Sequence, residues 1–253
     1  MSMGGNHLQL RDVSVSFSGF RAVNGLDLAV RRGELRCLIG PNGAGKTTCL
    51  DLICGKTKPT SGSIRLDDTE LSRLEEHEIA RAGVGRKFQV PNVFRELTVR
   101  ENLEVAHCKP VGVLANALRP ARGAEGDGLE KLAELVGVAD HLDGPAAYLS
   151  HGQTQWLEIA LLIAQDSELI LMDEPTAGMT AQETRKTAEL FNRLKGRHTL
   201  IVVEHDMGFV REIGDVISVM HQGRLLAEGT VREIEADPEV REAYLGSRGI
   251  SGA

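Results

Sequence analysis

Apolar and polar residues alternate along LQLRDVSVSF (8–17), the period-two pattern of a half-buried strand. LDLAV (26–30) and ELRCLIG (34–40) follow as strands separated by the turn RRG, and helical spacing begins at Lys46 and runs to about Cys54. GKTKPTSG (55–62) is turn-rich, SIRLDD (63–68) reads as a strand, 70–82 as a helix and GVGRKFQ (83–89) as a short strand. From Val90 to Ala164 helical segments dominate (98–108, 129–137, 152–165), around a Gly/Ala/Pro-rich stretch at 110–128. Strand and helix then alternate again: ELILMDE (168–174), helix 180–195, HTLIVVEH (198–205), helix 207–213, DVISVMHQ (215–222), GRLLAEG (223–229) and a short helical tail. Such alternation predicts a mostly parallel sheet covered on both faces, interrupted by a helical insert.

Composition narrows the possibilities. A chain of 253 residues, 42% apolar and 26% charged, fits one domain with a subdomain and a substantial core. Its longest apolar runs, such as Ile159–Ala164 and Leu200–Val203, fall well short of the roughly 18–20 residues that cross a bilayer. MSMGGNHLQL carries no basic-then-apolar signal, so the chain is expected in the cytoplasm unless a partner carries it to a membrane. A net charge of −7 argues against nucleic acid as the main partner. Cys37, Cys49, Cys54 and Cys108 lack zinc spacing and read as reduced, mostly buried thiols.

The strongest chemical signal is Gly40-Pro41-Asn42-Gly43-Ala44-Gly45-Lys46-Thr47-Thr48, which fits G-x-x-x-x-G-K-[ST] between a strand and a helix. Glycines let successive N–H groups curl around phosphates, Lys46 reaches the β- and γ-phosphates, and the Thr47 hydroxyl ligates Mg²⁺. The acidic complement belongs at the end of another apolar strand, where ligands bind in such sheets. Asp173 fits as the Mg²⁺ partner, directly or through water, and Glu174 as general base for the attacking water. Gln89 and His205 end strands in the same way: Gln89 is a candidate water or Mg²⁺ contact, His205 a candidate partner of the γ-phosphate and the base.

A second polar cluster, Leu149-Ser150-His151-Gly152-Gln153, opens a helix that is apolar on most sides. Helix N-termini offer free N–H groups and a dipole that favours anions. The plain alternative is that Ser150 is only an N-cap.

Together GPNGAGKTT, Gln89, LSHGQ, LILMDE and His205 closely resemble the nucleotide-binding subunit of ATP-binding cassette (ABC) transporters, over essentially the whole chain and in the family's order. The resemblance implies a P-loop NTPase (RecA-like) α/β core with a mostly parallel sheet, an N-terminal antiparallel β subdomain and an inserted α-helical subdomain. The nucleotide-binding domain would span 7–247, with the core at about 7–89 and 165–247, the signature subdomain at about 90–164, and tails at 1–6 and 248–253. It implies ATP and Mg²⁺, ATPase activity, and a head-to-tail pair of cassettes clamping two ATPs. Ser150, Gly152 and Gln153 would then hold the partner's γ-phosphate, and Phe17 would stack on adenine, with Phe20 in reserve.

Two positions depart from the family's common pattern. His151 stands where Gly is usual, and its side chain must either turn from the phosphate or reach it. Pro175-Thr176-Ala177-Gly178-Met179 lacks the Asp usual in that run, although Gly178 and Met179 remain candidates for the dimer seam. The resemblance also implies separate membrane permease subunits, a solute-binding protein, and a location on the inner face of the membrane. The second ATPase subunit would be this chain or a paralogue. Apolar Val90, Val93, Phe94 and Leu97 suit a groove for a permease helix. GRKFQVPNVFRELTVRENL, LSHGQTQWLEI and PTAGMT, with only about two dozen residues after GRLLAEG, resemble the branched-chain amino-acid and urea importers, the urea ATPase most. The rival readings are a soluble ABC ATPase of repair or translation, which would need a long insertion or tandem cassettes, and a P-loop small-molecule kinase, which would not need LSHGQ.

Overall fold

Strands β1 (Asn6–Phe17) and β2 (Phe20–Arg31) form a hairpin around the two-residue turn Ser18-Gly19, whose φ angles are 47° and 88°. Positive φ at both central positions matches the right-handed twist of the flanking strands. LDLAV is therefore the later part of a longer strand. The structure is a computed structural model and describes residues 6–87, 93–108 and 126–245. β4 (Ser61–Leu66) pairs antiparallel with β1, and β5 (Thr69–Glu70) with β4, giving a four-stranded sheet in the order β2-β1-β4-β5. Of the helix expected over 70–82, only α2 (Glu76–Arg81) forms, because Glu70 is taken into β5.

The second sheet holds β3 (Leu35–Ile39), β6 (Val84–Lys87), β7 (Leu169–Asp173), β8 (Thr199–Val203), β9 (Val216–His221) and β10 (Arg224–Gly229) in the order β10-β9-β3-β8-β7-β6. Neighbours β9, β3, β8 and β7 run parallel, and β10 pairs antiparallel with β9. Every residue of β3, β7 and β8 is buried, as strands covered on both faces must be. Arg36 lies in the middle of β3, only 2% exposed. Its charge is tolerated because Glu34 accepts from Nε at 2.6 Å, Ser218 and the Ala29 carbonyl accept at 2.7 and 2.8 Å, and Glu228 pairs with it as well. A shared core joins Leu8, Val23 and Ile64 of the first sheet to Leu50, Leu171 and Ile201. Helices α1 (Lys46–Ile53), α7 (Met207–Ile213), α8 (Val231–Ala236) and α9 (Pro238–Val240) complete this part.

The described residues fall into two compact units: those within 1–86, 168–175 and 191–253, and those within 87–167 and 176–190. The stretch 176–190, expected with the core, groups with the helical unit. That unit packs α3 (Val99–His107) and α4 (Gly126–Val136) against α5 (His151–Ala164). Helix α6 (Ala181–Leu194) contributes its first ten residues. Their tie is specific: the buried Trp156 Nε1 donates to Thr187 Oγ1 at 2.9 Å, and Lys186 lies 5.7 Å from the Trp156 ring centre. Thr98 caps α3 and Ser150 caps α5 through capping boxes, and Thr98 bridges to Pro145.

Of the four free cysteines, Cys37 and Cys49 are buried, Cys54 is half-buried and Cys108 is exposed. The expectation of mostly buried thiols holds for two of them. Cys108 caps the end of α3 and is exposed among the described residues. No helix among the described residues is long and apolar enough to cross a membrane.

Candidate functional site

The chain leaves β3 at Gly40 and turns tightly, with Ala44 N–H bonded to the Pro41 carbonyl at 3.2 Å. Gly45, at φ 99°, starts α1 without any side-chain cap, so no side chain occupies that helix terminus. Two of the glycines, Gly40 and Gly45, are steric necessities. A Cβ on Gly40 would lie 2.1 Å from the Met220 carbonyl oxygen, and one on Gly45 would lie 2.4 Å from that of Ala22. The result is a glycine-rich turn at a helix N-terminus, the kind of backbone that cradles phosphates. Lys46 Nζ arches back over it, donating to the Gly40 and Pro41 carbonyls at 2.8 and 3.0 Å. Burial lowers the Lys46 pKa, opposed by the charges of Asp173 and Glu174.

Strand β7 delivers Asp173 to the same edge. Burial raises its carboxyl above the usual range, while a hydrogen bond from Thr47 and the charges of Arg86 and Lys46 pull it down. Its Oδ2 is buried with no hydrogen-bond partner among the described residues. A buried carboxylate oxygen left unsatisfied beside a threonine hydroxyl fits a hard, oxygen-seeking cation such as Mg²⁺. The next residue, Glu174, holds φ at 47°, a left-handed backbone that costs a non-glycine residue about 1–3 kcal/mol and concentrates at functional sites. Its N–H bonds to the Val203 carbonyl at 2.9 Å, which fixes the turn. Beyond β8, His205 Nδ1 approaches Glu174 Oε1 at 3.6 Å, both side chains about half exposed. Lys46, Thr47, Asp173, Glu174 and His205 thus meet at one edge of the sheet. Gln89 and Val90 lie outside the described residues, as do 248–253 and 1–5 of the expected tail 1–6, whose last residue, Asn6, opens β1.

Sequence reasoning passed over Arg86 and Asp51. Arg86 Nη1 pairs with Asp51 and lies 3.2 Å from Cys54 Sγ, and its charge reaches Asp173. The available signal was Asp51 one helical turn after Thr47 on α1, facing a basic residue on the strand that leads to Gln89. Phe17 and Phe20 stand opposite each other at the hairpin tip, 48% and 65% exposed, so neither is a core residue and both rings are available to a ligand.

The helical unit carries LSHGQ. Ser150 Oγ accepts from Gln153 N–H at 3.2 Å, and Gln153 Oε1 accepts from Ser150 N–H at 2.9 Å. The N-cap is therefore real, and it leaves the Ser150 hydroxyl proton free to be donated elsewhere. The Gln153 side-chain amide donates to His141 Nε2 at 2.8 Å. His151 turns toward the 176–179 loop: its Nε2 donates to the Ala177 carbonyl at 3.1 Å, and a Cβ on Gly178 would sit 3.4 Å from that nitrogen. The two departures from the family pattern are thus in contact. Met179 N–H closes the loop on the Thr176 carbonyl at 3.1 Å, and Met179 Sδ accepts from Thr187. Nearby, Val93, Arg95, Ala146, Ala147, Leu149 and Thr154, with His151, line a groove of about 260 Å³. Leu97 is half-buried, and Phe94 is exposed above a backbone pinned by Asn102.

Comparison with known proteins follows the same lines. The ABC transporter family profile matches residues 23–177, and a profile for the branched-chain amino acid ATP-binding cassette transporter matches 224–249. The high-affinity branched-chain amino acid transport ATP-binding protein LivG of Salmonella typhimurium is 41% identical, over 94% of this chain and 97% of the relative. BraF of Pseudomonas aeruginosa, with the same description, is 39% identical over the same shares. A crystal structure of an ABC transporter's ATP-binding cassette in its ADP conformation superposes with a TM-score of 0.83 at 29% identity, covering 97% of this chain and all of the other. A nucleotide-free cassette gives 0.80 at 28% identity, over 95% and 99%. The cradle, the acidic strand end and these likenesses agree: the chain belongs to the ABC transporter family, as an ATP-binding ATPase subunit of the branched-chain amino-acid importer type that uses ATP and Mg²⁺.

Proposed function

We propose that this chain is the motor of a solute importer: two ATPase subunits close on two ATPs and pull on separate permease subunits at the inner face of the membrane. The observation that carries the reading is the meeting of Lys46, Thr47, Asp173, Glu174 and His205 around a glycine cradle at one sheet edge. Residues 40–48 take the phosphates, with Lys46 on the β- and γ-phosphates. Thr47, Asp173 and Gln89 hold Mg²⁺, which when bound neutralises charge on the transferring phosphoryl group. Glu174 takes a proton from the attacking water, and His205 orients Glu174 and contacts the γ-phosphate. Phe17 stacks on adenine, and Phe20, opposite it across the two-residue turn, is the alternative. Ser150, Gly152 and Gln153 grip the γ-phosphate held by the second subunit, itself or a paralogue, because a single cradle leaves its ATP open on one side.

The core at about 7–89 and 165–247 does the chemistry, and the helical segment at about 90–164 reads the partner. The groove beside Val93 and Leu97 takes a cytoplasmic helix of the permease, and closure moves that helix. A solute-binding protein supplies the solute from the other side. The relatives' names support a branched-chain amino acid. Urea rests on the likeness of the LSHGQTQWLEI and PTAGMT stretches. Nucleic acid is not a partner, given the net charge of −7.

The test is purification from the native membrane, followed by uptake assays. A polytopic membrane protein should co-purify, and cells lacking this chain should lose uptake of labelled leucine or of labelled urea. Isolation without any membrane protein would favour a soluble ABC ATPase, and a phosphorylated small-molecule product would favour a kinase.

A further inference from the structure

The first turn of α5 already holds an anion, and it comes from the chain itself. Glu183 is the third residue of α6, and its Oε2 accepts from the N–H and hydroxyl of Thr180, both at 2.9 Å, which caps that helix. Its other oxygen, Oε1, accepts from Ser150 Oγ at 3.1 Å, and the same carboxylate lies against Gly152, whose amide helps to stabilise its charge. A Cβ on Gly152 would sit 2.5 Å from Oε1, so the missing side chain is what admits the carboxylate. Thr180, Ser150 and Gly152 together hold the Glu183 carboxyl below its usual range.

The proton count matters here. A serine hydroxyl and a backbone amide each have one hydrogen to give. In this arrangement the Ser150 hydrogen is given to Glu183, the Gly152 amide lies against the same carboxylate, and one of the two Gln153 side-chain amide hydrogens goes to His141. A phosphate oxygen arriving at Ser150 therefore finds the hydroxyl hydrogen taken and a like charge at hydrogen-bond distance from it. The anchor on Thr180 belongs to the other carboxylate oxygen, so releasing Ser150 and Gly152 does not by itself uncap α6.

We propose that Glu183 is a placeholder for phosphate: it holds the Ser150 hydroxyl and the Gly152 amide in position and must hand them over when the partner's ATP arrives, so that its charge sets how much ATP closes the dimer. Glu183 acts through Ser150 and Gly152 and is a positioning residue. The inference rests on the reading that these two groups face the second subunit's nucleotide.

The experiment is an ATP titration of the full chain with Mg²⁺, in the slow-hydrolysing Glu174→Gln background, with dimer read by light scattering on a sizing column. Glu183→Gln removes the charge and keeps a side chain that reaches Thr180. Half-dimerisation should then need on the order of five- to tenfold less ATP, the scale of a charge-assisted hydrogen bond exchanged for a neutral one. Glu183→Asp keeps a capping carboxylate but is one methylene short of Ser150, and it should move the midpoint the same way. A merely structural role predicts the opposite, since loosening the two helix ends would raise the ATP requirement. An unchanged or raised midpoint in the folded variants, while Ser150→Arg still blocks ATP-driven dimerisation, overturns the placeholder alone. If Ser150→Arg leaves dimerisation untouched, the placeholder falls together with the reading beneath it.

Discussion

Gly43 and Gly45 both hold left-handed backbone, at φ 78° and 99°, yet alanine should act very differently at the two sites. A Cβ on Gly43 meets no atom of the described residues within 4 Å, so Gly43→Ala adds only the left-handed penalty of about 1–2 kcal/mol. A Cβ on Gly45 falls 2.4 Å from the backbone oxygen of Ala22 in β2, and neither atom belongs to a flexible side chain. The loop must lift off the strand, which adds about 1–3 kcal/mol of overpacking and brings Gly45→Ala to about 2–5 kcal/mol. At about 2–4 °C per kcal/mol for a chain of this size, the melting temperature falls by roughly 2–8 °C for Gly43→Ala and roughly 4–20 °C for Gly45→Ala. Lifting the loop also misaligns the amides that face phosphate, so Gly45→Ala should weaken ATP binding by about tenfold or more, the effect of about 1.4 kcal/mol. Thermal unfolding and ATP titration on both variants decide the matter. Equal penalties at the two positions would refute the claim that the cradle is pressed against β2.

Other expectations follow from the same geometry. Glu174→Gln should keep ATP binding and slow hydrolysis on the order of 10²–10⁴-fold, and turnover at the native rate would remove Glu174 from its role. Because burial raises the Asp173 carboxyl pKa, the folded chain binds that proton more tightly than the unfolded chain does, and the metal-free fold loses stability as pH rises from the unfolded toward the folded pKa. Asp173→Asn should therefore raise the melting temperature at pH 7 without Mg²⁺ and abolish the added stabilisation by Mg²⁺ and ATP; a lowered value without metal would contradict the assignment of burial as the dominant cause. Burial pushes the Cys37 and Cys49 thiols up to about 12, so a thiol reagent at pH 8 should label exposed Cys108 first and reach Cys37 and Cys49 only on unfolding. Early labelling of Cys49, measured by peptide mass, would show that the core around α1 opens.

The sequence was most readable where local rules act alone. The glycine cradle declares itself because steric demands fix residue types at fixed spacing, and the strands β7 and β8 because burial on both faces demands apolar runs such as LILM and LIVV. The capping box of α5 is written in Ser150 and Gln153, three residues apart. What escaped depends on distance along the chain. Glu183 reaches Ser150 across 33 positions and Arg36 reaches Glu228 across 192, and neither contact leaves a periodic trace. The start of β2 at Phe20 was hidden because Ser18-Gly19 is a weak turn signal beside Asn-Gly or Asp-Gly. His151 was unreadable for another reason: its orientation is set by a carbonyl 26 residues away, in a loop that itself departs from the family pattern.

Trapping the Glu174→Gln variant with ATP and Mg²⁺ and solving the structure of the resulting assembly puts the proposed seam to the sharpest test. The account predicts each terminal phosphate between Lys46 of one copy and Ser150 of the other, at hydrogen-bond distance from both. A nucleotide-filled cradle with Ser150 far from every terminal phosphate in the assembly would contradict it.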